Sequence, residues 1–262
     1  MVEASGVICI AVYRPSWDLL VEQLRSIQRQ TVNNWLAIIG IDGLDEDLRS
    51  RLQDFIGEDV RFTVRQYQER VGHYRNFERL LAEVGSEYQW IALADQDDHW
   101  YPEKLERMVP GLRDYDLVCS QARVVSIDGA SRAALGTTSR SNASLAAMFI
   151  NNRVTGSFSL LSPRLVRAAL PFPAPTDQAF HDHWLGVCAR SADRLTFIDD
   201  VLQDYHQHGS NVIGEEGKDS LIKRFSRLRS KAGASNTGGG ARLPLTASMG
   251  LESEYGPVPC AE

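Results

Sequence analysis

Two runs that are apolar at almost every position, Val7 to Tyr13 and Trp35 to Ile41, flank a segment in which Trp17, Leu20, Leu24 and Ile27 recur three to four residues apart. A continuously apolar run suits a strand buried on both faces, and the spacing between the runs suits an amphipathic helix, so the chain opens as β-α-β. Arg14-Pro15 ends the first run because proline lacks a ladder donor, and Asp42-Gly43 closes the second as a turn. The pattern then repeats, with a helix over Leu44 to Ile56, a short strand over Val60 to Tyr67, a helix over Asn76 to Val84 and a strand over Tyr88 to Ala94. Such alternation predicts an α/β fold with a mostly parallel sheet flanked by helices, and ligands bound beyond the strands' carboxyl ends.

The second half is less regular. A helix should follow Pro102 through Leu105 and Met108, then a strand over Leu117 to Ser120 and one arm of a hairpin over Val124 to Gly129. Ser131 to Ser144 is small and polar and reads as a loop near the cleft; Val154 to Leu161 reads as a strand and Pro163 to Leu170 as a helix with proline at its start. Pro171, Pro173 and Pro175 fix an extended approach to a helix beginning near Asp177, and Leu195 to Val201 forms another strand. The expected organisation is a single domain with one half over 1–115 and a smaller mixed half over 116–215, followed by an amphipathic helix over 216–232 and a flexible tail over 233–262.

With 28 Lys and Arg against 34 Asp and Glu, the formal charge is −6, which argues against a broad basic face for nucleic acid. Cys9, Cys119 and Cys188 sit in or beside apolar stretches and Cys260 in the tail, without metal-ligand spacing, so reduced thiols and a cytoplasmic location are expected. Neither a secretion signal nor an apolar stretch of the roughly 20 residues that cross a bilayer is evident. Residues 220–232 combine Leu221, Ile222, Phe225 and Leu228 with five basic side chains. Covering the domain's edge is the commoner use of such a helix; peripheral contact with an anionic membrane and a subunit contact are the alternatives.

The strand ending at Ala94 runs straight into Asp95, Asp97 and Asp98. Carboxylates this dense repel one another, and a divalent cation bound to phosphate offsets the repulsion, which points to nucleotide-diphosphate chemistry. Asp95 and Asp97 share a direction if strand geometry persists, so one reaches a sugar hydroxyl while the other binds metal. The plain alternative is a turn that caps the next helix. Asp42 is either a turn residue or a carboxylate accepting the N3 hydrogen of uracil or thymine. Arg14 either contacts base or phosphate or is a solvated strand end.

His181-Asp182-His183-Trp184 opens an apolar pattern after the proline-braced loop. Asp182 there is either a helix-start residue or a general base for an acceptor hydroxyl. Thr155-Gly156-Ser157 suits close approach of an acceptor, since glycine lacks a side chain and serine both donates and accepts; a turn into the strand is the duller reading. His206 and His208 share a strand face but lack a third local ligand for zinc; His208 instead suits the diphosphate or the shell of a cleft metal, and His206 a surface or packing role.

The order of these segments resembles family 2 glycosyltransferases of the GT-A fold, especially bacterial rhamnosyltransferase-like members. It runs from about Val7 to Gly214 and rests on the opening strand, Glu22 to Thr31, Trp35 to Gly43, Gly72 with Asn76-Phe77, Ala94 to Leu105, Val154 to Ser157, His181 to Trp184 and Tyr205 to Val212. The resemblance implies a nucleotide-binding first half, an acceptor-binding second half and a metal-dependent, inverting transfer. The donor would be a nucleotide-diphosphate sugar, dTDP-rhamnose first and UDP-linked hexoses next. The acceptor would be a hydroxyl of a growing surface glycan, free or lipid-linked. Asp182 would be the base, and Asp97, with His208, would hold Mg2+ or Mn2+. Tyr13, Arg14, Asp42, Asp95 and His208 would contact the donor; Gly156, Ser157, His181 and Trp184 would line the acceptor side. Two departures stand out: Ile41-Asp42-Gly43-Leu44 has one carboxylate where relatives have two, and Val12-Tyr13-Arg14-Pro15 replaces a Thr-Tyr-Asn-like strand end. A nucleotidyltransferase is the enzyme alternative, though no Gly-rich stretch followed by Lys offers a triphosphate clamp. A non-catalytic carbohydrate- or partner-binding module is the other.

Overall fold

The computed structural model describes residues 4–128, 131–175 and 180–207. The first half follows the expected alternation: β1 (Gly6–Val12), α1 (Trp17–Gln28), β2 (Trp35–Ile41), α2 (Glu46–Ile56), β3 (Phe62–Gln66), α3 (Gly72–Ala82) and β4 (Trp90–Ala94). β3, β2, β1 and β4 lie side by side and parallel, with Ile8 level with Ala37 on one neighbour and Ala92 on the other. Both faces of β1 are buried, which is why its sequence is apolar throughout. Ile8, Ile10 and Val12 pack with Leu20, Leu24 and Ile27 of α1, whereas Val7, Cys9 and Ala11 share the opposite core with Phe77, Leu80 and Leu81 of α3. The period of two along the strand therefore feeds two cores, one on each side of the sheet.

The rest comprises β5 (His99–Trp100), α4 (Lys104–Met108), β6 (Leu117–Asp128), β7 (Ser131–Thr137), α5 (Leu145–Ile150), β8 (Ser159–Leu161), α6 (Pro163–Ala169), α7 (His181–Ser191) and β9 (Leu195–Gln207). The strands form one nine-stranded sheet ordered β3-β2-β1-β4-β8-β6-β9-β5, with β7 paired to β6. β8 runs antiparallel to both β4 and β6, β5 to β9 and β7 to β6, while β6 and β9 are parallel. This corrects the expectation of a mostly parallel sheet with a separate mixed region: the sheet is mixed and continuous. Apolar periodicity reports which faces of a strand are covered but carries no information about its direction.

Two local expectations also change. Ser131 to Thr137 is a strand, not a loop, and every residue in it is exposed. A hairpin arm with no buried face leaves no apolar alternation in its sequence. The expected strand from Val154 is largely replaced by a tight 3-10 turn over Gly156–Phe158 that delivers only Ser159–Leu161 to the sheet. α6 begins as read, with Pro163 in its first turn and the Ser162 hydroxyl accepting from the Leu165 amide. His208, the helix expected over 216–232 and the tail over 233–262 lie outside the described residues. Among those described, no helix is long and apolar enough to cross a membrane.

Candidate functional site

The carboxyl ends of three adjacent parallel strands deliver Tyr13 and Arg14, Asp42, and Asp95 to one edge of the sheet. Arg14 has φ of 42°, a left-handed conformation that turns the chain sharply out of β1. The Tyr13 amide donates to Oε1 of Gln96 at 2.8 Å, joining the end of β1 to the acidic turn after β4. The Arg70 guanidinium lies 4.2 Å from the Tyr13 ring centre, a stacked cation that the sequence did not suggest. Asp42 is buried. Its two oxygens accept from the amides of Val71 and Gly72 at 2.8 Å each, and Oδ1 also pairs with Arg79 at 2.8 Å. The carboxylate thus caps the start of α3, where Gly72 has φ of 82°.

Asp95 lies against α3. Nε2 of His73 is 3.2 Å from its Oδ1, and the His73 ring centre is 4.9 Å from that of His181. His181 in turn stacks on Phe77 at 4.1 Å. Enclosure works against a charge on His73, but the hydrogen bond and charge of Asp95, with the fields of Asp182 and Asp97, outweigh it and raise its pKa above 6.5. Burial also opposes ionisation of Asp95, yet the His73 hydrogen bond and charge bring its carboxyl below the usual value. His181 is held neutral by burial and by the neighbouring His73 charge, and neither ring nitrogen has a hydrogen-bond partner.

Asp98 points inward rather than toward the cleft. It is fully buried, its Oδ2 accepts from Nε2 of Gln203 at 3.0 Å, and burial followed by the charges of Asp97 and Asp95 holds its carboxyl well above the ordinary range. The ring of the buried His206 pins the same turn, with Nδ1 2.7 Å from the Asp97 carbonyl oxygen. Lys104 is fully buried beneath the turn, and desolvation pushes its pKa down to about 7. The Ser157 hydroxyl accepts from Nε2 of Gln203 at 3.5 Å, and the Ser157 side chain favours the ionised forms of Asp95 and Asp98.

Asp182 occupies the first turn of α7, a position where the helix dipole favours a carboxylate. Its Oδ1 accepts from Nδ2 of Asn152 at 2.9 Å and from the His183 amide at 2.7 Å, and its Oδ2 accepts from the Gly156 amide at 3.2 Å. Burial nevertheless raises its pKa, because it outweighs those amide bonds and the favourable charge of His73. Asp95, His73, His181, Gly156, Ser157 and Asp182 consequently form one connected cluster. Trp184 lies apart from these polar contacts: its indole N–H donates to the Ala169 carbonyl at 2.9 Å and its ring packs against the core beneath α6.

His73, Asn152, Gln203 and Lys104 were given no role from sequence. Only Lys104 carried a local signal, since it lies four residues before Met108 and shares the buried face of α4. Among the described residues no group of three or more His, Cys, Asp or Glu side chains is placed to hold a metal by itself. A hard cation at this turn would have, among the described residues, only carboxylate oxygens from Asp95 and Asp97 and would need further oxygens from a bound phosphate. Asp95 and Asp97 supply carboxylates two residues apart, and their charges add to burial in favouring the neutral form of Asp98.

The model of Glycosyl transferase family 2 matches residues 7–161, a span that includes Asp42, Asp95, Asp97, Gly156 and Ser157 but stops short of Asp182. No curated protein matches the sequence. Among solved structures, that of S. aureus TarS 1–349 in complex with UDP-GlcNAc aligns with a TM-score of 0.61 at 11% identity, over 85% of this chain and 66% of that one. TarS 1–349 in complex with UDP aligns at 0.59 and 13%, over 88% and 73%. For S. aureus TarS itself the values are 0.60 and 12%, over 89% of this chain but 46% of that one. At such identities the likeness is one of fold.

Proposed function

Since the chain belongs to glycosyl transferase family 2, we propose that it transfers a sugar from a nucleotide-diphosphate donor to an acceptor hydroxyl with inversion, using Asp182 as the base. The observation that carries this reading is a chain of contacts from Asp95 through His73 and His181 to Gly156, whose amide bonds Asp182, so a donor-side carboxylate and a buried carboxylate belong to one cluster. A carboxylate whose affinity for a proton is raised by burial is better matched to accepting one from a hydroxyl. As Asp182 takes that proton, the acceptor oxygen forms a bond to the anomeric carbon. The bond from that carbon to the diphosphate oxygen breaks with its electron pair, and the nucleoside diphosphate departs.

Tyr13, Arg14 and the buried Asp42 would contact the base, and Asp95 the ribose or sugar. Gly156, Ser157 and His181 would face the acceptor. Mg2+ or Mn2+, held by Asp97, would supply neutralisation of the departing diphosphate when bound. UDP-linked sugars are favoured over dTDP-rhamnose as donors, because the relatives of similar fold were solved with UDP and UDP-GlcNAc. The acceptor is proposed to be a glycan, free or lipid-linked.

The test is a panel of nucleotide sugars, with UDP-GlcNAc, other UDP-hexoses and dTDP-rhamnose as separate arms, assayed for nucleoside diphosphate release with Mg2+ or Mn2+. Turnover with a UDP-sugar that is lost in folded Asp182→Asn and Asp97→Ala supports the reading. Full activity in both variants, or release of pyrophosphate from a nucleoside triphosphate instead, overturns it.

A further inference from the structure

Lys104 takes no part in the proton or sugar transfer, yet it is a fully buried lysine beside the reacting groups. Its Nζ donates to the Ser157 carbonyl at 2.5 Å and to Oε1 of Gln203, and lies 3.9 Å from the centre of the Trp100 ring. Taking a lysine head group out of water is costly, and a purely apolar side chain at this position would complete the face that Leu105 and Met108 already bury. What lysine adds is a pair of hydrogen bonds to segments remote in sequence: the 3-10 turn before β8, and β9.

Those two bonds end on groups that hold the site together. Gln203 turns its Nε2 to Asp98 at 3.0 Å, in the acidic turn that Asp95 opens, and to the Ser157 hydroxyl at 3.5 Å. The residue before Ser157 is Gly156, whose amide holds Asp182. The Gly156-Ser157 segment is therefore gripped by Lys104 at the carbonyl of its second residue and bonds the base through the amide of its first.

We propose that Lys104 is a positioning residue: by anchoring the Ser157 carbonyl, it sets the separation between the base Asp182 and the donor-side carboxylate Asp95. The inference rests on the glycosyltransferase reading and assigns to α4 a share in aligning the acceptor half of the site with the donor half. Outer contacts of this kind typically change activity by about 10- to 100-fold when removed.

The test uses the full chain with Lys104→Met. Three quantities are measured: kcat with the best donor and acceptor pair, the affinity for UDP by calorimetry, and the hydrogen-exchange rate of the Gly156 amide in the ligand-free protein. A kcat at least about 10-fold lower with UDP affinity within about 2-fold, and a Gly156 amide that exchanges faster while β1 amides do not, supports the proposal. Unchanged kcat in a folded variant overturns it. So does a general loss of protection with UDP binding and turnover falling together, which marks a role in folding alone. Where Lys104→Met does not fold, Lys104→Gln is read by the same criteria. If the wild-type protein turns over no donor, the glycosyltransferase reading fails separately, and the Gly156 exchange rate still decides whether Lys104 anchors the Asp182 contact.

Discussion

A methyl group added to Gly156 would sit 2.3 Å from Nε2 of His181. No real Cβ tolerates that approach, so the imidazole occupies the space that glycine leaves, and the pair fixes how closely the turn before β8 can approach the start of α7. Because His181 is also stacked on Phe77, it has little room to withdraw. Gly156→Ala should lower unfolding free energy by about 1–3 kcal/mol in chemical denaturation, the usual cost of overpacking. Gly156→Ala combined with His181→Ala should recover part of that loss, since the clashing ring is gone. Equal stability of the single variant and the wild type would show that the ring is free to move.

Asp182→Asn should retain the fold and reduce turnover by about 10²- to 10⁴-fold, the typical contribution of a positioned base. The pH dependence has a definite sign. The folded pKa of Asp182 is raised above 3.8, chiefly by burial, and the working form is ionised. Activity should therefore rise with pH through a midpoint above 3.8. The linked stability runs the other way: a raised folded pKa contributes stability that is complete below 3.8 and is lost as pH rises through the folded value. A kcat/KM profile whose acid limb has its midpoint at or below 3.8 would remove Asp182 as the titrating base.

The parallel half of the fold was legible because its strands are buried on both faces, and Trp35 to Ile41 can be read as a strand without knowing its neighbours. The antiparallel entry of β8 was not, because three residues, Ser159 to Leu161, carry no direction. The acidic turn and Asp182 stood out as unusual charge beside apolar runs. His73 was silent, since nothing in Gly72-His73-Tyr74 distinguishes a histidine facing Asp95 from one facing solvent. Its meaning comes from α3 packing across the end of β4, a contact between positions 22 residues apart. The same holds for Gln203, which meets Asp98 across 105 residues.

Asp42 accepts from two amides and one guanidinium, so its substitution tests structure and donor binding together. Removing the carboxylate takes the ion-pair partner from Arg79, whose side chain is only 20% exposed and keeps just the Asn76 amide oxygen and the Glu69 carbonyl as acceptors. Breaking a largely buried pair in this way is expensive, and Asp42→Ala should cost about 3 kcal/mol by denaturant titration. Asp42→Asn keeps an acceptor for one amide and should cost less. If Asp42 also faces the base, the Asn variant should lose UDP affinity in calorimetry by more than its stability loss accounts for. UDP affinity unchanged in folded Asp42→Asn would confine the residue to capping α3.

The His73 and Asp95 pair should leave a bell-shaped imprint on stability. His73 has a folded pKa raised above 6.5, so its contribution is complete below 6.5 and disappears as pH rises through the folded value. Asp95 has a folded pKa below 3.8, so its contribution is present above 3.8 and disappears as pH falls through the folded value. Both partners are charged between these limits, and there the pair attracts most. The His73 side chain is 40% exposed, so solvent screening limits the gain to about 0.5–1 kcal/mol. Unfolding curves for the wild type and His73→Gln should therefore differ most between pH 3.8 and 6.5 and converge on either side. A difference that stays constant with pH would mean that the imidazole contributes by packing against Phe77, from which its ring centre lies 4.9 Å, and not by its charge.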